Sequence, residues 1–381
     1  MARPKTIGFP RMMKEPSEKR VFLPEFIQFL ASSGLEVFIE EGYGSRSGFS
    51  FEDYQQASHN VHLCTREEAY AQDIVLVLRS PKMEELKLIP RGTCLISMLH
   101  YPTRPLRVEK LCELEIKAIS LDSIVNDSGI RLVENMKAVA WNGLEAAFDT
   151  LERCWPGLNR PDGQPIQVLI LGTGMVGKHA VDAATKLGNI ERNSQHMREN
   201  GRGSVAITVG RNVTNHLDTM KQLFSQADIL VDATQRRNSS VPVVPNEWLG
   251  WLPEHAIVAD LAVDPYTLNC TPEVVRGVEG IPQGNLDQYV FLPNDPNWDN
   301  TVPATVPSKY RRAVATCYSW PGIHPETCMR HYAQQLIPLM EVLIEKGYDD
   351  LSLEGSYFER ALYRATLEGW NLLVHNESHP C

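Results

Sequence analysis

Gly172, Gly174 and Gly177 follow an apolar run, Val168 to Leu171, in G-x-G-x-x-G spacing. Three glycines so placed suit a dinucleotide. The first permits a tight turn, the second lets the backbone approach a pyrophosphate, and the third lets helix and strand pack closely. Thr173, Met175 and Val176 complete the loop, and a helical pattern runs from Met175 to Leu187 with Ala180, Ala183, Ala184 and Leu187 on one side. Unpaired N–H groups and the dipole at that helix start favour an anion. The spacing is weak alone and gains force from the strand before it and the helix after it. A plain strand–turn–helix packing unit is the other reading.

Ligands of open α/β sheets bind beyond the carboxyl ends of strands. Four polar residues fall near such ends or in the loops after them: Arg79, His100, Asp122 and, after a longer loop, Arg20. Ile96-Ser-Met-Leu99 delivers His100 to the sheet edge, where an imidazole can take and give a proton near neutral pH; it could equally just cap a strand end. Arg20 and Arg79 could hold a carboxylate, whose geometry a guanidinium fork matches, or could be solvated charges. Asp264 ends the run Ile257-Val-Ala-Asp-Leu-Ala-Val-Asp264. It could touch a ribose or handle a proton, or cap a turn before Pro265.

An NAD site wants an acidic residue where the second strand of the nucleotide unit ends, to bind the ribose 2′-hydroxyl. Here that strand, Ser204 to Val209, runs into Gly210-Arg211-Asn212. Gly210 removes the repelling carboxylate and Arg211 can pair with a 2′-phosphate. NADP(H) is the expected cofactor, with NAD(H) as the alternative if Arg211 is a solvated loop residue. Glu191 and Glu199 lie in the polar stretch from Asn189 to Gly203, which reads as an inserted surface loop. A residue of that insertion folding back to the ribose would weaken the expectation.

These residues need a scaffold of alternating strands and helices. Strands are expected at Thr6 to Phe9, Leu35 to Ile39, Ile74 to Leu78, Thr93 to Leu99 and Ala118 to Leu121, with helices between them. A long helical pattern, Leu132 to Leu151, precedes a second set of strands at Val205 to Val209, Ile229 to Asp232, Ile257 to Asp260 and Tyr289 to Leu292. After Pro307 the pattern is helical, with candidates from Cys328 to Lys346 and from Phe358 to Asn376. The alternation predicts an α/β fold with parallel, doubly wound sheets.

The 381 residues suffice for two domains with cores, and the net charge of −10 argues against nucleic acid or an anionic membrane surface as partner. No apolar run approaches the ~20 residues of a membrane span, and the first residues lack the apolar core of a secretion signal. The eight cysteines form no C-x-x-C, so no metal site is expected. Cys94 and Cys112 read as small core residues, and the cysteine usage predicts a reducing cytoplasm.

Several segments carry a resemblance in one order along the chain. They are Ile7-Gly-Phe-Pro10 with Glu18-Lys-Arg-Val21, Glu36-Val-Phe-Ile-Glu-Glu-Gly42 with Gly48-Phe-Ser50 and Asp53-Tyr54, and Ser97-Met-Leu-His100. Later come Ala227-Asp-Ile-Leu-Val231, Val258-Ala-Asp-Leu-Ala-Val-Asp264, and Asn300 with Val302-Pro303 and Val306-Pro307. Over nearly its whole length the chain resembles the alanine dehydrogenase/pyridine nucleotide transhydrogenase family. The resemblance implies that Arg20 binds a substrate carboxylate, His100 and Asp264 are catalytic, and Asn300 belongs with the cofactor residues. Arg79 stands where alanine dehydrogenases carry a substrate-contacting lysine.

It further implies two Rossmann-like domains with an active-site cleft between them. The first is a discontinuous substrate domain, residues 1–132 and 319–381, and the second a dinucleotide domain, residues 133–318. The implied activity is NAD(P)-dependent oxidoreduction of a small amino acid/2-oxo acid pair. The alternatives are an NADPH-dependent opine-type reductase, joining a 2-oxo acid to an amino acid amine, and a nucleotide-binding protein without catalysis. A homo-oligomer, at least a dimer, is expected.

Overall fold

A computed structural model describes residues 3–56, 58–236, 238–269 and 273–377. The chain divides into two compact units, one holding the residues up to Lys14, Glu18–Asn135 and those from Pro325 onward, the other Glu15–Ser17 and Met136–His324. No described helix is long and apolar enough to cross a membrane.

The first unit is built on strands β1 (Thr6–Phe9), β2 (Glu36–Glu40), β3 (Val61–Cys64), β4 (Ile74–Arg79), β5 (Cys94–Met98) and β6 (Lys117–Ser120). They form one sheet in the order β3-β2-β1-β4-β5-β6, with every pair parallel. Side chains alternate across it. Ile74, Leu76 and Leu78 of β4 pack with the helices Pro24–Ser32 and Pro325–Lys346, whereas Val75 and Val77 join Leu95 and Leu111 on the opposite face. A sheet covered on both faces needs near-continuous apolar strands, as β4 is. The strand order reverses between β1 and β4, so the carboxyl ends of these two strands open a crevice suited to a ligand.

The second unit carries β7 (Ile166–Leu171), β8 (Ser204–Val209), β9 (Ile229–Asp232), β10 (Ile257–Asp260), β11 (Val290–Phe291) and β12 (Ala313–Thr316), in the order β11-β12-β10-β9-β7-β8. All pairs are parallel except β11 with β12. Val168 and Ile170 face one core and Leu169 and Leu171 the other.

Several expectations need correction. β3 escapes a pattern reading because it is an edge strand with a polar His62 and an exposed Leu63. β12 interrupts the stretch read as helical after Pro307; its four residues are all buried, too short a run to show a period. The stretch from Asn189 to Gly203 is no plain loop, since Ile190–Arg198 is a helix capped by the Asn189 side chain, which accepts from the Glu191 and Arg192 N–H groups. Buried His196 pins this helix: its Nε2 accepts from the Gly203 N–H at 2.9 Å, and its Nδ1 lies 3.1 Å from the Gly157 carbonyl.

The last expected helix is two, Tyr357–Ala365 and Leu367–Glu377, because Thr366 turns extended and its hydroxyl oxygen accepts from the Gly369 N–H. Cys94 is buried, but Cys112 is exposed on the outer side of its helix. Cys270 and Cys381 lie outside the described residues.

Candidate active site

The loop after β1 returns through Glu18 and Arg20, both almost wholly buried. Arg20 closes its fork on Glu18, Nε to Oε1 at 2.8 Å and Nη2 to Oε2 at 2.5 Å. Arg79, at the end of β4, donates from Nη1 to the same Oε2 at 2.9 Å. One internal carboxylate thus lies between the two arginines that sequence reading assigned to a substrate carboxylate. Burial works to raise the pKa of Glu18, but hydrogen bonds and charge from Arg20, then from Arg79, outweigh it and bring it down to about 2. Burial also opposes the charge on Arg20, and Glu18 more than compensates, raising the guanidinium above its ordinary value. Arg79 keeps 22% of its side chain exposed, against 4% for Arg20.

His100 follows β5 in the left-handed region, φ 53° and ψ 51°. That conformation costs a non-glycine residue of order 1 kcal/mol and needs support from its surroundings. Asp122 supplies the support, accepting the His100 backbone N–H at Oδ1 (3.1 Å) and facing Nδ1 with Oδ2 (3.3 Å). The β5–β6 register sets this up: Ser97 pairs with Ser120, whose hydroxyl accepts from the Leu99 N–H and donates to Asp122 Oδ1. Burial works to raise the Asp122 carboxyl; contact with His100 and the Ser120 hydroxyl overrides it, to about 2. About half of the His100 side chain is exposed. Sequence reading marked Asp122 as a strand-end carboxylate but not as the partner of His100, and it gave Glu18 no role. The signal for Asp122 lies in Ser120-x-Asp122 on the strand beside His100; for Glu18 it lies in Glu18-x-Arg20, which puts the two side chains on one side of an extended segment.

In the second unit, Gly172 has φ +111°, and a Cβ there would stand 2.4 Å from the Ala233 carbonyl oxygen. A Cβ on Gly177 would stand 2.1 Å from the Gly172 oxygen, whereas one on Gly174 would meet nothing within 4 Å. The first and third glycines are therefore required by packing. The second faces open space at the start of the helix Met175–Ala184, whose cap has no side-chain hydrogen bond. Thr173 and Met175 are exposed and Val176 is half-buried.

The Gly172 N–H donates to the Val209 carbonyl at 3.0 Å, so Gly210 and Arg211 leave β8 at the same sheet edge as the glycine loop. Arg211 is exposed and donates to the Gln235 carbonyl at 2.6 Å. Asp264, in the loop after β10, is paired with Arg236 at 2.7 Å. Asn300 is exposed on the short helix Trp298–Thr301 and donates to Asn297 at 3.2 Å. Sequence reading also passed over Asp232, which ends β9 beside Asp260; burial and then the Asp260 charge raise its carboxyl well above the usual carboxylate range.

The family model for the alanine dehydrogenase/PNT N-terminal domain matches residues 9–140. An alanine dehydrogenase of Methanococcus maripaludis is 22% identical over 272 residues, 68% of this chain and 72% of that protein. The NAD(P) transhydrogenase subunit alpha of Haemophilus influenzae is 26% identical over 192 residues, 49% of this chain but 37% of that subunit. A solved L-alanine dehydrogenase shares the fold, with TM-score 0.70, 22% identity, and coverage of 95% of this chain and 94% of that one. Residues 9–140 thus match the alanine dehydrogenase/PNT N-terminal domain, and the chain is similar to alanine dehydrogenases and to NAD(P) transhydrogenase alpha subunits, which are oxidoreductases.

Proposed function

We propose that this oxidoreductase moves a hydride between a nicotinamide nucleotide, NADP(H) in preference to NAD(H), and a small amino acid/2-oxo acid pair. The observation that carries the reading is the His100–Asp122 pair beside Arg79, at the carboxyl ends of adjacent strands.

Asp122 orients the imidazole through Nδ1, leaving Nε2 to give a proton to, or take one from, the oxygen at C2 as the carbinolamine forms and breaks. Arg79, the more exposed arginine, meets the substrate carboxylate, and Arg20 backs it through Glu18. Asp264, held by Arg236, assists proton transfer near the nicotinamide.

The open backbone at Gly174 and the uncapped helix start fit a pyrophosphate. Gly172, Thr173, Gly174, Met175, Val176 and Gly177 would hold it, with Asn300 among the cofactor contacts. When bound, the nicotinamide supplies or accepts the hydride.

The position of β8 supports the NADP(H) preference. The polar helix carrying Glu191 and its neighbour Glu199 precede the amino end of β8, and Gly210 and Arg211 follow its carboxyl end. Strand rise of ~3.3 Å per residue separates those ends by roughly 17 Å, which favours Gly210 and Arg211 over either glutamate as the residues beside the ribose. A cytoplasmic homo-oligomer acting on small molecules is part of the same proposal.

The test is a panel of 2-oxo acids with ammonia, ornithine, lysine and other amino acids, following NADPH and NADH oxidation. Turnover with ammonia supports the amino acid dehydrogenase. Turnover with amino acid amines alone moves the assignment to the opine-type reductase, which uses the same residues. No oxidation with any pair contradicts both.

A further inference from the structure

Positive charge outnumbers its partners around the carboxyl ends of β1, β4 and β5. Lys14 lies in the loop after β1, Arg79 closes β4, Lys82 follows it, and Arg107 stands on the helix Pro105–Glu113 after β5. Backbone geometry gathers them. The Arg79 N–H donates to Met12 Sδ at 3.3 Å, Arg79 is the register partner of Met98, and Arg107 Nη1 donates at 2.9 Å to the carbonyl of Leu99, next to His100.

The neighbouring carboxylates are already used. Glu18 serves Arg20 and Arg79, Glu85 accepts from Arg66 and from the Lys82 N–H, and Asp122 holds His100. Among the described residues, neither Lys14 Nζ nor Arg107 Nη2 donates a hydrogen bond to a protein group, and the buried Arg107 Nε has no partner. Burial, then repulsion from Arg79, Arg107 and Lys82 against the opposing pull of Glu85, lowers the Lys14 ammonium below its ordinary pKa. The Arg107 guanidinium is lowered by burial and then by Arg104, with Asp122 opposing.

A single substrate carboxylate on Arg79 leaves this excess in place. We infer that the oxo acid carries a second carboxylate, bound by Lys14 and Arg107 beside His100, so that the substrate class is a 2-oxo dicarboxylate. This rests on the function proposed above and narrows it.

The full-length enzyme is assayed with NADPH and an amine (ammonium, then lysine and ornithine) against pyruvate, oxaloacetate and 2-oxoglutarate. The better dicarboxylate should exceed pyruvate in kcat/KM at least about tenfold, with the advantage shrinking as salt screens the charges. In Lys14→Gln and in Arg107→Gln, the ratio of dicarboxylate to pyruvate kcat/KM should fall about tenfold, the size of one charge-assisted hydrogen bond. Pyruvate used as well as or better than either dicarboxylate, or a ratio unmoved by both substitutions, would overturn the inference and leave the proposed function standing. No turnover with any acid–amine pair would remove both.

Discussion

His100 and Asp122 meet where two neighbouring parallel strands end, and one carboxylate fixes both the backbone and the ring of the histidine, at 3.1 Å and 3.3 Å. A left-handed histidine held by a buried anion is an orienting arrangement, and it leaves the far ring nitrogen available for proton transfer. General acid–base catalysis typically contributes ~10²–10⁴-fold. His100→Ala should lower single-turnover rates by about that factor while nucleotide affinity holds, and Asp122→Asn should lower them less. Rates near wild type in His100→Ala would remove the histidine from the mechanism.

The Arg20–Glu18–Arg79 chain predicts that the two arginines fail differently. Breaking a buried ion pair by removing one partner typically costs ~3–5 kcal/mol. Arg20→Ala, with Glu18 left buried, should lower the melting temperature sharply, whereas Arg79→Ala, partly exposed, should mainly raise KM for the oxo acid. Equal thermal stability of the two variants would contradict this.

The same carboxylate sets an acid limit on stability. Its pKa falls from an ordinary 4.5 to about 2 in the folded chain, so its contribution is present above 4.5 and is lost as pH falls toward 2. At ~1.4 kcal/mol per pH unit the contribution is about 3 kcal/mol. Urea titrations across that window should show a steep loss in the native protein and a flatter one in Glu18→Gln. Parallel slopes would refute the assignment.

Much of this was legible in the sequence, for a physical reason. β1, β9 and β10 are read residue for residue, because strands buried on both faces must be continuous apolar runs, and the glycine loop is read because close backbone contact admits no side chain. The edge strand β3 and the short β12 lack that signal. The helix Ile190–Arg198 is polar on most sides and depends on the Asn189 cap and the His196 plug, neither of which shows as periodicity. At the site, His100 and the arginines were visible as strand-end residues. Their pairings were not, because Asp122 reaches His100 through strand register and Glu18 reaches Arg79 across 61 residues of chain.

The glycines divide the loop into packing and ligand roles. Gly177→Ala should impair folding, since the new methyl would stand 2.1 Å from a backbone oxygen, whereas Gly174→Ala should fold normally and bind nucleotide more weakly. Thermal melts with nucleotide titrations check both halves. Unchanged nucleotide affinity in Gly174→Ala would argue for a ligand-free packing turn.

Arg211 and Gly210 should set the phosphate preference. Native protein should bind NADPH more tightly than NADH, and Gly210→Asp combined with Arg211→Ile should cancel that difference, as read by dissociation constants. Tighter NADH binding by the native protein would reverse the reading.

The proposed reaction delivers a hydride to C2 of a 2-oxo acid as it takes up an amine. The most direct measurement uses NADPH deuterated at the transferring position of the nicotinamide, with the oxo acid and amine that support turnover, and mass spectrometry of the amino acid product. One deuterium per product molecule is expected, at C2, in a product formed far more slowly by His100→Ala. A product without deuterium, or nucleotide oxidation with no new C–N bond, would contradict it.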